Sequence, residues 1–164
     1  MRCIRGRANE GDAESQLLLG AYFDTAKRGL RVMPDQAAIW YRKSAGQGYA
    51  MAQNALGSLY NSDKLGAPDF GQAMQWFRTA ADQDLSLAEY NLGYMYYAGR
   101  GTRQNHREAL RWFGKAASKG FDIAQFTVGK MLETGAGLVN ENLPEAFRWF
   151  ELAAHQNHGP SQYK

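Results

Sequence analysis

In four stretches of the chain the apolar positions return at helical spacing around a tryptophan: Trp40, Trp76, Trp112 and Trp149. An alanine stands three residues before each (Ala37, Ala73, Ala109, Ala146) and an aromatic directly after (Tyr41, Phe77, Phe113, Phe150). Small residues follow at the fourth and fifth places: Ser44-Ala45, Ala80-Ala81, Ala116-Ala117 and Ala153-Ala154. On a helix of 3.6 residues per turn these positions merge into one apolar stripe, which predicts a helix, termed helix B, in each stretch. Its start is also written. Asp69, Asn105 and Asn142 lie seven residues before the tryptophan, each followed three residues later by Gln72, Glu108 or Glu145. That is the capping-box pattern, in which side chains satisfy amide donors that have no partner in the first turn. The first stretch departs from it with Met33 and Pro34, and a proline in the first turn still opens a helix. The predicted ends are Gly48, Asp84, Gly120 and Asn157. Glycine and asparagine accept the left-handed conformation of a helix C-terminus, and Asp84 does so less readily.

A second series, Gly20, Gly57, Gly93 and Gly129, marks a partner, helix A. Its apolar face reads Ala52, Leu56, Leu59 and Tyr60 in one unit, Ala88, Leu92, Met95 and Tyr96 in the next, then Ala124, Val128, Met131 and Leu132. A mid-helix glycine costs about 0.5–1 kcal/mol relative to alanine, so its recurrence predicts a close approach of helix B. The tryptophans step by 36, 36 and 37 residues and the glycines by 37, 36 and 36. Two independent markers with one period predict an array of helix–turn–helix repeats that bury their faces only by stacking. The expected architecture is an all-α, α/α superhelical solenoid forming a single domain over 1–164. Its repeats fall at approximately 12–48, 49–84, 85–120 and 121–157, with partial repeats at 1–11 and 158–164. Residues 1–10 read as the tail of an earlier helix B with Cys3 in the tryptophan register, and "GPSQYK" as the beginning of another helix A. Each unit is expected to dock its own tryptophan in the core.

These residues resemble the Sel-one-like repeat family, close kin of the tetratricopeptide repeats. The third unit carries the pattern most fully: Ala88, Leu92-Gly93, Met95-Tyr96, Gly99, Gly101, Ala109, Trp112-Phe113, Ala116-Ala117 and Gly120. The fourth keeps Gly135 and Gly137, while the first two carry "TAKRGLRV" and "SDKLGAPD" where the double glycine stands. The resemblance implies a bacterial α/α scaffold or adaptor that binds a partner. Some members are exported proteins held by cysteine pairs, and with Cys3 alone this chain lies outside that subgroup.

Composition narrows the chemistry. Apolar residues make up 45% and charged residues 21%, and the net charge of +3 is too small for a nucleic-acid binder. No apolar run reaches the roughly 18 residues of a membrane span, so membrane insertion is not expected. A single cysteine rules out an intrachain disulfide and a thiolate metal cage. His155 and His158 offer two imidazoles where a zinc site needs three or four ligands, so no cofactor or metal is expected. The Gly99-Arg100-Gly101 run follows a helix rather than a strand, out of context for a dinucleotide fingerprint. Arg103, Arg107, Arg111, Lys115 and Lys119 step by four along the third helix B, but neighbouring units do not continue the stripe, which reads as a solvated face. No nucleophile is paired with a base in a known motif, so no enzyme is expected.

The candidate binding residues lie on helix A. Tyr90, Tyr94 and Tyr97 step by i, i+4, i+7 on the side opposite Ala88 and Leu92, where the A–B contact does not need them. The same register holds Asn54, Ser58 and Asn61 one unit earlier and Phe126 and Lys130 one unit later. In tetratricopeptide-like superhelices this side lines the concave groove, so the resemblance implies a peptide or protein held there. Tyrosine and phenylalanine are the expected anchors, since Tyr supplies contact area at low entropic cost. Asn54, Asn61 and Lys130 are expected to set polar register, with Ser58 a further binding residue. The competing reading packs several of the tyrosines between repeats. The function expected is a noncatalytic scaffold, for instance an envelope adaptor or an immunity protein against a secreted effector. The alternatives are a structural fragment of a longer array, self-associating through uncapped ends, and an enzyme with an unrecognised site. A removed leader places the protein in the periplasm; otherwise it is cytoplasmic.

Overall fold

The computed structural model describes residues 2–25, 32–137, 140 and 142–155. Residues 26–31, Asn157, His158 and the expected partial repeat at 158–164 lie outside the described residues. Among the described residues the chain is all-α: α1 (Arg2–Asn9), α2 (Ala13–Asp24), α3 (Pro34–Gly46), α4 (Ala50–Tyr60), α5 (Phe70–Ala81), α6 (Ser86–Ala98), α7 (His106–Ser118), α8 (Asp122–Thr134) and α9 (Leu143–His155). Helices A are α2, α4, α6 and α8; helices B are α3, α5, α7 and α9. The helices form two compact units, one ending at Gln83 and the other beginning at Asp84. In the first, each helix from α1 to α5 packs on the next; in the second, each from α6 to α9 does so.

The helix starts follow the local chemistry. Asp69 accepts from the Gln72 amide at 2.9 Å and Asn105 from the Glu108 amide at 3.1 Å. Asn142 accepts from the Glu145 amide at 3.3 Å, and its side-chain Nδ2 donates to Glu145 Oε2 at 2.8 Å. Pro34 opens α3 behind Met33, which supplies no side-chain cap. Among the helix-B ends, Gly48 and Gly120 both take φ +84°, and Asp84 is forced to φ +64° without the freedom of a glycine. Lys119 Nζ holds it there through the Asp84 carbonyl at 3.1 Å and Oδ1 at 2.9 Å, and this partner keeps the Asp84 carboxyl below the usual range. An Asp84→Gly chain is expected to melt at higher temperature than the wild type, because left-handed backbone strain outweighs an exposed ion pair. A lower melting point would show that the Lys119 contact dominates.

The four mid-helix glycines sit where an aromatic ring presses on the helix-A backbone. A Cβ would stand 2.5 Å from the Tyr41 ring at Gly20, 2.8 Å from Phe77 at Gly57, 2.7 Å from Phe113 at Gly93 and 2.6 Å from Phe150 at Gly129. This corrects the expectation for the tryptophans. The residue after each tryptophan fills the glycine notch, while Trp112 alone is buried, at 7% exposure, and Trp40, Trp76 and Trp149 are half-buried. Neighbouring residues point about 100° apart around a helix, so only one of the two rings can face the notch. The indole lies at the edge of the packing, where Lys43 Nζ stands 4.4 Å from the Trp40 ring and Lys115 Nζ 4.0 Å from that of Trp112. In the first repeat the notch ring is Tyr41, whose hydroxyl donates to Asp24 Oδ2 at 3.4 Å. Burial, reinforced by the Asp24 charge, pushes that phenol well above the usual tyrosine range.

A buried polar relay, absent from the sequence reading, ties the helices together. Gln16, Gln53 and Gln125 are buried and donate to carbonyls in the last turn of the preceding helix: Ala8 at 3.0 Å, Ala45 at 3.3 Å and Ala117 at 3.2 Å. The end of the following helix B then donates back, Gln47 to Gln16 Oε1 at 2.8 Å and Gln83 to Gln53 Oε1 at 2.7 Å. In the third repeat the pair is replaced by ions. Glu89, 1% exposed, accepts from Lys119 Nζ at 2.8 Å through Oε1. Its Oε2 is buried without a hydrogen-bond partner among the described residues. Desolvation alone lowers the Lys119 pKa, but hydrogen bonds and charge from Glu89 and Asp84 outweigh it and hold it above the ordinary lysine value. That contribution is therefore constant near neutrality and lost only as alkaline pH passes the raised value. The sequence signal for the relay is the Gln or Glu directly after the small residue that opens each helix-A stripe: Ser15-Gln16, Ala52-Gln53, Ala88-Glu89, Ala124-Gln125.

Candidate partner-binding site

Helices α6, α7 and α8 of the second unit enclose an open depression of about 320 Å³. Its walls are Tyr90, Tyr94 and Tyr97 from α6 and Phe126, Thr127, Lys130, Met131 and Thr134 from α8, with Phe113 of α7 and Ala136 completing it. Helical periodicity brings the three tyrosines to one side of α6, and Gly99, left-handed at φ +68°, ends that helix just beyond Tyr97. Gly135 ends α8 in the same conformation. The edge of the site is stiffened by the His106 ring, edge-on to Tyr97 at 4.9 Å, and by Gln104 Nε2, which donates to the Tyr97 carbonyl at 2.8 Å.

Five of the eight residues anticipated from the sequence, Tyr90, Tyr94, Tyr97, Phe126 and Lys130, line this one depression. They differ in freedom. Tyr94 and Tyr97 are 40% and 41% exposed. Tyr90 is half-buried against Phe113 at 5.2 Å and Phe121 at 5.6 Å, so it belongs to the A–B contact that was expected not to need it. Phe126 likewise leans on Phe150 at 5.6 Å. Lys130 is exposed and pairs with Glu133 one turn on. The other three lie on α4 in the first unit. Ser58 is exposed and Asn61 caps the C-terminus of α4, its amide donating to the Gly57 carbonyl at 2.9 Å. Asn54 is buried at 6% exposure, against the expectation that it is presented to a partner. Tyr90 and Phe126 share its register, and a side chain as short as asparagine ends inside the packing that their rings reach past.

The chemistry of the depression is aromatic with a polar edge. The hydroxyls of Thr127 and Thr134 donate to carbonyls one turn back, Ile123 at 2.7 Å and Lys130 at 3.0 Å. The three phenols make no hydrogen bond within the chain among the described residues. Phe113, Thr127, Met131, Thr134 and Ala136 were not anticipated as lining. Phe113 and Met131 read as core from their stripes, and each turns one edge to the cavity. No group of three or more histidine, cysteine or acidic side chains gathers for a metal ion among the described residues, and no described helix is long and apolar enough to cross a membrane.

The Sel1 repeat model matches residues 13–49, 50–85, 86–121 and 122–158. The chain belongs to the Sel1 repeat family. It is an all-α solenoid of the family's tandem units, a protein-interaction scaffold class. It is 33% identical to c5321, a protective antigen present in uropathogenic Escherichia coli strains displaying an SLR fold, with a TM-score of 0.87 over 98% of this chain and 34% of that one. A Sel1 repeat protein from Oxalobacter formigenes is 31% identical, with a TM-score of 0.81 over 93% of this chain and 62% of that one. This chain therefore spans about a third of the first structure and less than two thirds of the second. The immunity protein Pa5087 from Pseudomonas aeruginosa shares the fold alone, at 16% identity and a TM-score of 0.56 over 96% of this chain and 74% of that one. No curated protein matches the chain in sequence.

Proposed function

We propose that this Sel1 repeat chain is a noncatalytic binding module that holds a protein or peptide partner in the aromatic depression of its second unit. The observation that carries the reading is the meeting of Tyr94, Tyr97 and Phe126 around about 320 Å³ of open apolar space. Tyr94 and Tyr97 leave two-fifths of their surface exposed, although the core of the A–B contact is formed by other residues. Aromatic surface of this kind is characteristic of recognition sites. Ser58 and Asn61 on α4 remain candidates for polar contacts of their own. In its specific form the reading is an adaptor, or an immunity protein that sequesters a secreted effector; Pa5087, whose fold this chain shares, is itself named an immunity protein.

The test is a Tyr94→Ala/Tyr97→Ala chain used beside the wild type in affinity capture. Each side chain keeps about two-fifths of its surface exposed, so losing the covered remainder, the Tyr97–His106 ring contact included, is expected to lower the thermal midpoint while leaving the chain folded. Partners retained by the wild type are expected to be lost. Recovery of the same partners by both chains overturns the proposed site.

A further inference from the structure

We propose that the occupant of this depression is an acidic linear peptide that inserts one bulky apolar side chain between Tyr94, Tyr97 and Phe126 and sets an adjacent carboxylate against Lys130. The inference rests on the binding reading above and narrows it to a class of partner.

Size and lining set the first half. A space of about 320 Å³ floored by Phe113 and Met131 suits one large aromatic or aliphatic side chain with its backbone, not a folded surface. Ring faces at the walls favour insertion of a planar or branched apolar group by stacking and edge contacts. Charge sets the second half. Among the described residues that line the depression Lys130 is the charged one, and it is positive. The Arg100 guanidinium lies outside that lining, over the Tyr94 ring at 5.4 Å from its centre. The acid nearby is Glu133, joined to Lys130 as an exposed i,i+3 pair, an arrangement that contributes little and that an incoming carboxylate can replace. Among the described residues the phenols of Tyr90, Tyr94 and Tyr97 make no hydrogen bond within the chain, which leaves their O–H groups able to donate. The Lys130 ammonium beside an apolar cup favours a ligand with a carboxylate and repels a basic one, and the phenols can donate to it. A single-stranded nucleic acid needs a basic groove that tracks its backbone, and one lining cation does not make that groove.

The experiment is selection of a random linear peptide display library on the full chain, in parallel with Tyr94→Ala/Tyr97→Ala and Lys130→Glu chains. Each variant is first checked to be folded by circular dichroism. On the wild type the enriched peptides are expected to place Phe, Trp, Leu or Met beside Asp or Glu. A selected peptide resynthesised and titrated should bind the Lys130→Glu chain roughly tenfold more weakly, with raised salt narrowing the difference. The Lys130→Glu selection should itself shift toward basic residues. Enrichment of apolar residues with no acidic preference, unmoved by Lys130→Glu, overturns the acidic partner and leaves the binding site standing. Enrichment no better than on the Tyr94→Ala/Tyr97→Ala chain overturns both. If the double alanine variant melts early, the exposed Lys130→Glu chain still decides the charge claim.

Discussion

A Gly93→Leu chain is expected to lose most of the stability of the second unit, seen as a large drop in its helical melting temperature. At Gly93 a Cβ alone stands 2.7 Å from the Phe113 Cδ1 and 2.8 Å from its Cε1, with the ring itself buried. Interiors are packed close to crystal density, so α6 and α7 must move apart to admit a side chain. The milder Gly93→Ala change separates the competing effects. Alanine raises helix propensity by up to about 1 kcal/mol, while an extra methyl in a full core costs about 1–3 kcal/mol. Overpacking wins, and the net result is a loss of roughly 1–2 kcal/mol. Phe113→Leu alone is expected to destabilise as well, by leaving a cavity, but Gly93→Ala/Phe113→Leu should lose less than the sum of the two. Additive losses in chemical denaturation would show that the glycine is kept for another reason, and the notch account would then fail.

The second large effect is at the ion pair that interrupts the glutamine relay. Lys119→Gln leaves the Glu89 carboxylate, 1% exposed, without its cation. Removing one partner of a fully buried pair costs about 3–5 kcal/mol. Lys119 keeps about a third of its side chain in water, so solvent reaches the broken site and a loss of roughly 2–3 kcal/mol is expected. Glu89→Gln/Lys119→Gln is expected to recover most of it, because the pair then has the chemistry of Gln53 and Gln83, bonded at 2.7 Å, and of Gln16 and Gln47, at 2.8 Å. Replacing a buried ion pair by a neutral one is often free of net cost. Denaturant midpoints for the four chains of the cycle measure this directly. A double variant as weak as the sum of its singles would mean that the relay position does not accept a glutamine pair here.

Much of this was open to reading before any coordinates. The caps of α5, α7 and α9, the proline start of α3 and the left-handed ends at Gly48, Asp84 and Gly120 follow from single residues acting on their own turn of backbone. The repeat itself and the glycine notch were equally plain, because a helix breaker recurring at one period is unfavourable unless something leans on it. The polar relay was missed for a definable reason: a buried glutamine looks like any surface glutamine until its two partners, eight and about thirty residues away, are placed beside it.

The sequence by itself thus determined which segments are helices, where they begin and end, and that they stack as Sel1 repeats. Only the tertiary structure decided which ring of each tryptophan–aromatic pair enters the core. It also decided that Asn54 is covered and Tyr90 half-packed while Tyr94 and Tyr97 stay open, and that Glu89 is paired with Lys119. Helix formation and capping are set within a few residues along the chain. Burial depends on how far each helix is rotated against its neighbours, and a fraction of a turn, which leaves the periodicity unaltered, exchanges one face for the next.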